Sequence, residues 1–177
     1  MLKLKGTEKQ VRWAEGIKYK MLKELESLKT AKDYMRYHFD REIDETEVDN
    51  AINYLNKIDD AKFFIENRFE KGTDLVVTIE NLEIENNIRA EINNNVDKKD
   101  IDRIIHEVKH IDRRLKEEDI DTTDDLYDEE REPVKQIIAT IRKSLLEGKI
   151  KSIREAEKII EDKKMLKIAL SEILLIK

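Results

Sequence analysis

The sequence predicts an all-α protein, an irregular multi-helix bundle of roughly six to eight amphipathic helices. Three observations carry that expectation. Only 4 glycines and 1 proline stand among 177 residues, so turn and strand punctuation is sparse. Charged residues make up 43% of the chain, and long charged side chains lose little rotamer freedom on a helix while covering its wet face. Apolar residues recur three and four apart along most of the chain.

The first helix is marked by Thr7 as N-cap with Gln10 three residues on, a capping box. Val11, Ala14, Met21, Leu22, Leu25 and Leu28 follow at helical spacing, with Trp13 and Ile17 on an adjoining stripe. Tyr34, Met35 and Phe39 extend the pattern as a continuation or a restart, and Asp40 to Glu45 reads as a connector. Thr46 is the expected cap of a second helix carrying Val48, Ala51, Ile52, Leu55 and Ile58. Asp59-Asp60 restarts it through Phe63-Phe64, ending near Phe69 with Gly72 as the C′ residue. Leu75 to Ile84 alternates as a strand would at Leu75, Val77 and Ile79. Without an evident partner strand it is assigned to helix, continued by Ile84, Ile88 and Ile92.

Asn93-Asn94-Asn95 breaks the pattern, and Asp97 caps the clearest helix, with Ile101, Ile104, Ile105, Val108, Ile111 and Leu115 on one face. Asp119 to Glu132 is a very acidic connector. Pro133 then stands at an expected first helical position, before a helix that Gly148 stops. Ser152 and Glu155 form a second capping box for a last helix running to about Ile176. No internal repeat and no sustained heptad pattern is present. The expected organisation is an N-terminal helical subdomain, 1–72, and a C-terminal one, 73–177, or one continuous domain.

Composition narrows the function classes. The absence of cysteine removes disulfides, thiolate nucleophiles and Cys-ligated zinc. The opening Met1-Leu2-Lys3-Leu4-Lys5 lacks the apolar core of a secretory signal. The stretch from Met165 to Ile176, interrupted by Lys167 and Glu172, is too short to span a bilayer. A soluble cytoplasmic protein without a membrane role is the expectation. The net charge of −6 hides a segregation. Residues 1–41 hold 11 basic and 6 acidic groups (net +5), residues 42–132 hold 13 and 29 (net −16), and residues 133–177 hold 11 and 6 (net +5). Either the basic ends neutralise the acidic middle, or the acidic middle faces a basic partner.

Several sets of side chains suggest chemistry. His106-Glu107-Val108-Lys109-His110 matches H-E-x-x-H, in which two histidines one helical turn apart grip zinc and the glutamate serves as base. Glu130 follows at a separation resembling the glutamate-liganded zinc peptidases and would be the third ligand. Against this, at about 100° per residue the histidines lie away from the Ile/Val stripe, beside Arg103, Arg113 and Arg114. Lys109 and Asp112 occupy places that pattern keeps uncharged, and no substrate-binding sheet edge precedes it. The solvated-face reading is therefore preferred, with no metal and no cofactor assigned.

Asp119 to Glu130 also has the oxygen spacing of a calcium loop, but Asp124 replaces the glycine of the sharp turn, so an acidic linker is preferred. Lys9, Arg12, Lys18, Lys20 and Lys23, with Arg103, His106, His110, Arg113 and Arg114, are the basic residues that would meet phosphate in a nucleic-acid complex. They are interleaved with acids, and a wet helix face is the simpler account. Trp13, the Phe63-Phe64 pair and the last apolar stretch are each assigned to core, with a partner hot spot or an oligomer seam as the alternative.

The run Leu4-Lys5-Gly6-Thr7-Glu8-Lys9-Gln10-Val11-Arg12-Trp13-Ala14-Glu15-Gly16-Ile17, followed by Ala61-Lys62-Phe63-Phe64-Ile65-Glu66-Asn67-Arg68, resembles small proteins of phages and mobile elements of Gram-positive bacteria. Those open on [ST]-E-K-Q-x-x-W-A-x-x-I and continue with A-K-x-[FW]-I-x-x-R. Gly16 and Lys18 depart from the pattern, and nothing beyond Gly72 is covered. The resemblance implies a phage or mobile-element setting and no particular activity. Together with the acidic middle it leads to an expected non-enzymatic interaction protein with a protein partner. The concrete form is inhibition of a host nucleic-acid-targeting defence enzyme, in the manner of an anti-CRISPR protein. Asp119, Asp121, Asp124, Asp125, Asp128, Glu129 and Glu130 would occupy sites that normally hold phosphate. The alternatives are a zinc hydrolase on His106, His110 and Glu130, and a nucleic-acid-binding accessory protein; self-association is compatible with each.

Overall fold

Thr7 opens the first helix as its sequence predicts. Its hydroxyl accepts from the Gln10 amide at 3.3 Å and the Gln10 side chain accepts from the Thr7 amide at 2.9 Å, satisfying two otherwise orphaned donors. A computed structural model describes residues 3–31, 37–38, 41–116 and 128–174, and over these the chain is all-α with one short two-stranded ribbon. The helices are α1 (Glu8–Lys29), α2 (Glu45–Lys57), α3 (Ala61–Glu66), α4 (Gly72–Glu91), α5 (Lys98–Lys116), α6 (Asp128–Leu146) and α7 (Lys163–Leu174), with a 3-10 helix (Ile153–Lys158) before the last. The ribbon, β1 (Tyr37–His38) and β2 (Arg41–Glu42), pairs antiparallel with Tyr37 opposite Glu42.

The chain divides into two compact units, 1–83 and 84–177, with the division inside α4. In the first, α1 packs on α2 and α3, and Ala14, Leu25, Leu55, Phe64, Leu75 and Ile79 are buried together. The segment before α1 is held by an isolated parallel bridge, with the Lys5 amide donating to Asp59 O and the Ala61 amide to Lys5 O. In the second, α6 packs on α5 and α7, and the 3-10 helix on α7. Ile88, Ile104, Ile111, Ile138, Ile141 and Leu166 belong to its core.

The structure moves several predicted boundaries. Asp44, not Thr46, caps α2, because its carboxylate takes the Glu47 amide at 2.8 Å while the Glu47 side chain takes the Asp44 amide, a complete capping box two residues earlier. The ribbon occupies part of the expected connector before it. Helix α3 stops at Glu66, where the Asn67 amide and side chain both donate to Phe63 O, so Gly72 with φ +51 opens α4 instead of closing α3. Leu75 to Ile84 lies wholly within α4. Pro133 lies inside α6, which starts at Asp128, so the last part of the acidic connector is helical. Ser152 makes no capping bond; Glu155 accepts from the Lys151 amide instead, and only a 3-10 helix forms. The final helix is capped separately by Asp162, which accepts from the Met165 amide at 3.0 Å. Tyr34, Met35 and Phe39 lie outside the described residues.

Gly148 terminates α6 as predicted, and its geometry makes it hard to replace. The Gly148 amide donates to Leu145 O and the Lys149 amide to Ser144 O, the paired bonds of a Schellman end. Gly148 sits at φ +71, and a Cβ there would stand 2.9 Å from Val96 Cγ2. Gly148→Ala is therefore expected to cost about 1–2 kcal/mol, from left-handed strain and the contact together. Urea midpoints test this, and Val96→Ala in the same chain should restore part of the loss.

Candidate interaction surfaces

On α5 the H-E-x-x-H residues meet three different fates. His106 is exposed. Glu107 is half-buried and accepts from the Ile153 amide at 3.5 Å, at the start of the 3-10 helix. His110 Nε2 lies 2.7 Å from Ile173 O, and since a carbonyl oxygen only accepts, Nε2 carries the hydrogen. One turn on, the buried Arg114 donates through Nε to Glu172 O at 3.1 Å. The last turn of a helix leaves its carbonyls unpaired and slightly negative. The i, i+4 pair His110 and Arg114 therefore caps the C-terminus of α7, which docks that helix on α5. Glu130 is paired with Lys164 at 2.9 Å, and that contact raises the Lys164 ammonium above its ordinary value. His106, His110 and Glu130 are not brought together; among the described residues no three His, Asp or Glu side chains form a group that could hold a metal ion.

Of the other acids singled out in the sequence, Asp119, Asp121, Asp124 and Asp125 lie outside the described residues. Asp128 and Glu129 lie in the first turn of α6.

The basic residues of α1 divide by helix face. Lys18 is not on the surface: it is 5% exposed, its ammonium donates to Asn56 O and Ile58 O at 3.3 Å each, and it lies 5.2 Å from the centroid of the Phe64 ring. It caps the C-terminal carbonyls of α2, and burial pushes its pKa below the ordinary lysine value. Lys9, Arg12, Lys20 and Lys23 are exposed. Arg12 pairs with Glu8 at 2.8 Å, and Lys23 lies 5.6 Å from the Tyr19 ring.

Trp13, expected in the core, is 53% exposed. It stands at the flank of the stripe formed by Ala14, Met21 and Leu25, about 100° round α1 from its centre, so the helix buries its aliphatic side and leaves the indole outside. Arg68, just past α3, lies 5.7 Å from the Trp13 ring and 4.2 Å from the ring of Phe69, which is 74% exposed. Its Nη1 donates to Ile65 O at 2.7 Å, which fixes the guanidinium. An exposed Trp–Arg–Phe stack thus joins α1 to the end of α3. The sequence names Trp13 but gives no sign that Arg68 and Phe69 meet it, since their contact depends on the packing of α1 on α3. Phe64, by contrast, is fully buried and meets Phe63 edge-on at 5.3 Å.

Among the described residues no helix is long and apolar enough to cross a membrane. Comparison with protein-family models, with curated proteins and with solved structures finds no match to this chain.

Proposed function

We propose that the chain is a non-enzymatic helical interaction protein that presents a charged surface to a macromolecular partner. The observation that carries this reading is the concentration of charge: residues 117–130 hold nine carboxylates and no basic side chain. The fate of the candidate catalytic groups supports it, since Glu107 and His110 are engaged in bonds that join helices. Given the mobile-element setting implied by the N-terminal resemblance, the partner in this proposal is a host nucleic-acid-targeting enzyme. Asp119, Asp121, Asp124, Asp125, Asp128, Glu129 and Glu130 compete for its phosphate-binding Arg and Lys residues.

A cleavage assay with an RNA-guided nuclease tests the proposal. Adding the chain is expected to suppress cleavage, and raising the salt to weaken suppression, because contacts between exposed charges are screened over about 8 Å at physiological ionic strength. A variant carrying Asn or Gln at the seven acidic positions should lose the effect. Suppression that persists unchanged in that variant or at high salt rules the acidic surface out.

A further inference from the structure

The outward face of α1 gathers cations and aromatic rings that the fold leaves largely in solvent. At about 100° per residue, Lys9, Trp13, Gly16, Lys20 and Lys23 fall within one sector, with Arg12 and Tyr19 at its margin. All seven are exposed, and Glu24 marks the opposite margin. The strip from Lys9 to Lys23 is about 21 Å long at 1.5 Å per residue. Among the described residues Lys9 and Lys20 make no ion pair, while Arg12 is paired with Glu8. Trp13, Tyr19 and Phe69 are three of the most exposed large apolar side chains, at 53%, 62% and 74%.

Gly16 adds an independent sign. A glycine inside a helix costs roughly 0.5–1 kcal/mol relative to alanine. It is otherwise retained where the backbone needs positive φ or where a neighbour comes too close. Gly16 has neither reason: it is absent from the positive-φ glycines, and a Cβ there would meet nothing within 4 Å. The open space over Gly16 leaves the helix backbone accessible to a ligand between Trp13 and Lys20.

We propose that this face binds single-stranded nucleic acid, with unpaired bases stacking on Trp13, Phe69 and Tyr19 and phosphates held by Lys9, Arg12, Lys20 and Lys23. Charge complementarity selects a polyanion, since the central sector carries cations and no carboxylate. The rings select a polyanion with flat faces. Every base offers a π-face, and a guanidinium stacked between two rings, as Arg68 is, belongs to the same repertoire. The site lies in residues 1–83, and the acidic segment assigned to the protein partner lies in residues 84–177.

Trp13 is the sole tryptophan, so it reports its own stacking. Titrating the full chain with a thymidine 20-mer and with a uridine 20-mer is expected to quench its fluorescence. With four phosphate contacts the affinity should fall roughly 50-fold between 50 and 200 mM salt, at about 0.7 per contact in the logarithmic slope. Phe69→Ala should weaken binding about 10-fold, the loss of one stacked base, read by anisotropy of a labelled strand. Gly16→Leu should weaken it comparably while leaving thermal stability at or above that of the parent, which separates lost binding from lost folding. Quenching by either strand supports the proposal. Equal binding of polyglutamate or of a duplex of the same length overturns it. So does the absence of quenching, or unchanged affinity in both variants.

Discussion

Truncating Phe64 to alanine is expected to lower the stability of the N-terminal unit by about 4 kcal/mol, the largest effect of any single side chain there. Phe64 has no exposed surface and lies among Ala14, Leu25, Leu55 and Leu75, so its removal leaves a void that rigid helices fill only in part. The loss reaches a polar group as well. The Lys18 ammonium sits over the Phe64 ring and already lies below its ordinary pKa through burial. Without the ring it keeps only the carbonyls of Asn56 and Ile58. Since Trp13 is the sole tryptophan and lies on α1, its fluorescence reports unfolding of this unit. For a unit of this size the midpoint should fall by on the order of 20 °C. Phe69→Ala is the control: at 74% exposure it should change stability by less than about 0.5 kcal/mol. Equal losses from the two substitutions would contradict the assignment of Phe64 to the core and Phe69 to the surface.

That pair of phenylalanines shows how far sequence periodicity reaches. The spacing of Ala14, Met21, Leu25 and Leu28 identified the buried side of α1, and the stripe Ile104, Ile105, Val108 and Ile111 that of α5. Helical patterns of this kind are local, and the packed helices obey them. Single-residue exposure is less legible. Trp13 lies on a stripe beside the core but turns outward, and Leu115 ends its stripe at 38% exposure. Lys18 reads as one more cation on a wet face, yet its position three residues from Met21 places it on the buried side, where α2 offers unpaired carbonyls.

Caps were legible where side chain and amide lie within one turn. Thr7 with Gln10 formed as read. Asp44 with Glu47 outcompeted Thr46, because carboxylates at both ends of the box also favour the positive end of the helix dipole. Ser152 with Glu155 failed, since Glu155 found the Lys151 amide first. The His106–His110 spacing is a true helical neighbour relation, but spacing alone does not decide what faces it. A helix end brought 63 residues along the chain supplies the partner of His110. Nothing in the i, i+4 pattern distinguishes a metal grip from a carbonyl cap, and only the tertiary arrangement does.

Arg142 carries the other large expectation, and it is of this long-range kind. Its guanidinium binds Asp112 through Nε at 2.6 Å and Nη2 at 3.0 Å, and Glu91 through Nη1 at 2.8 Å, joining α6 to α5 and to the end of α4. Arg142 and Asp112 are 25% and 26% exposed, too sheltered for water to replace the lost partner fully. The two carboxylates drive the guanidinium pKa further above its already high value. Arg142→Met is expected to cost about 2–3 kcal/mol, the range for hydrogen bonds to charged groups, and to accelerate amide exchange in α5 and α6. Arg142→Lys should recover less than half of that, because an ammonium cannot bind Asp112 in a bidentate fork and reach Glu91 at once. The double substitution with Asp112→Asn should cost less than the sum of the singles by about 1 kcal/mol or more. Strict additivity, or full recovery by lysine, would mean that the fork does not hold these helices together.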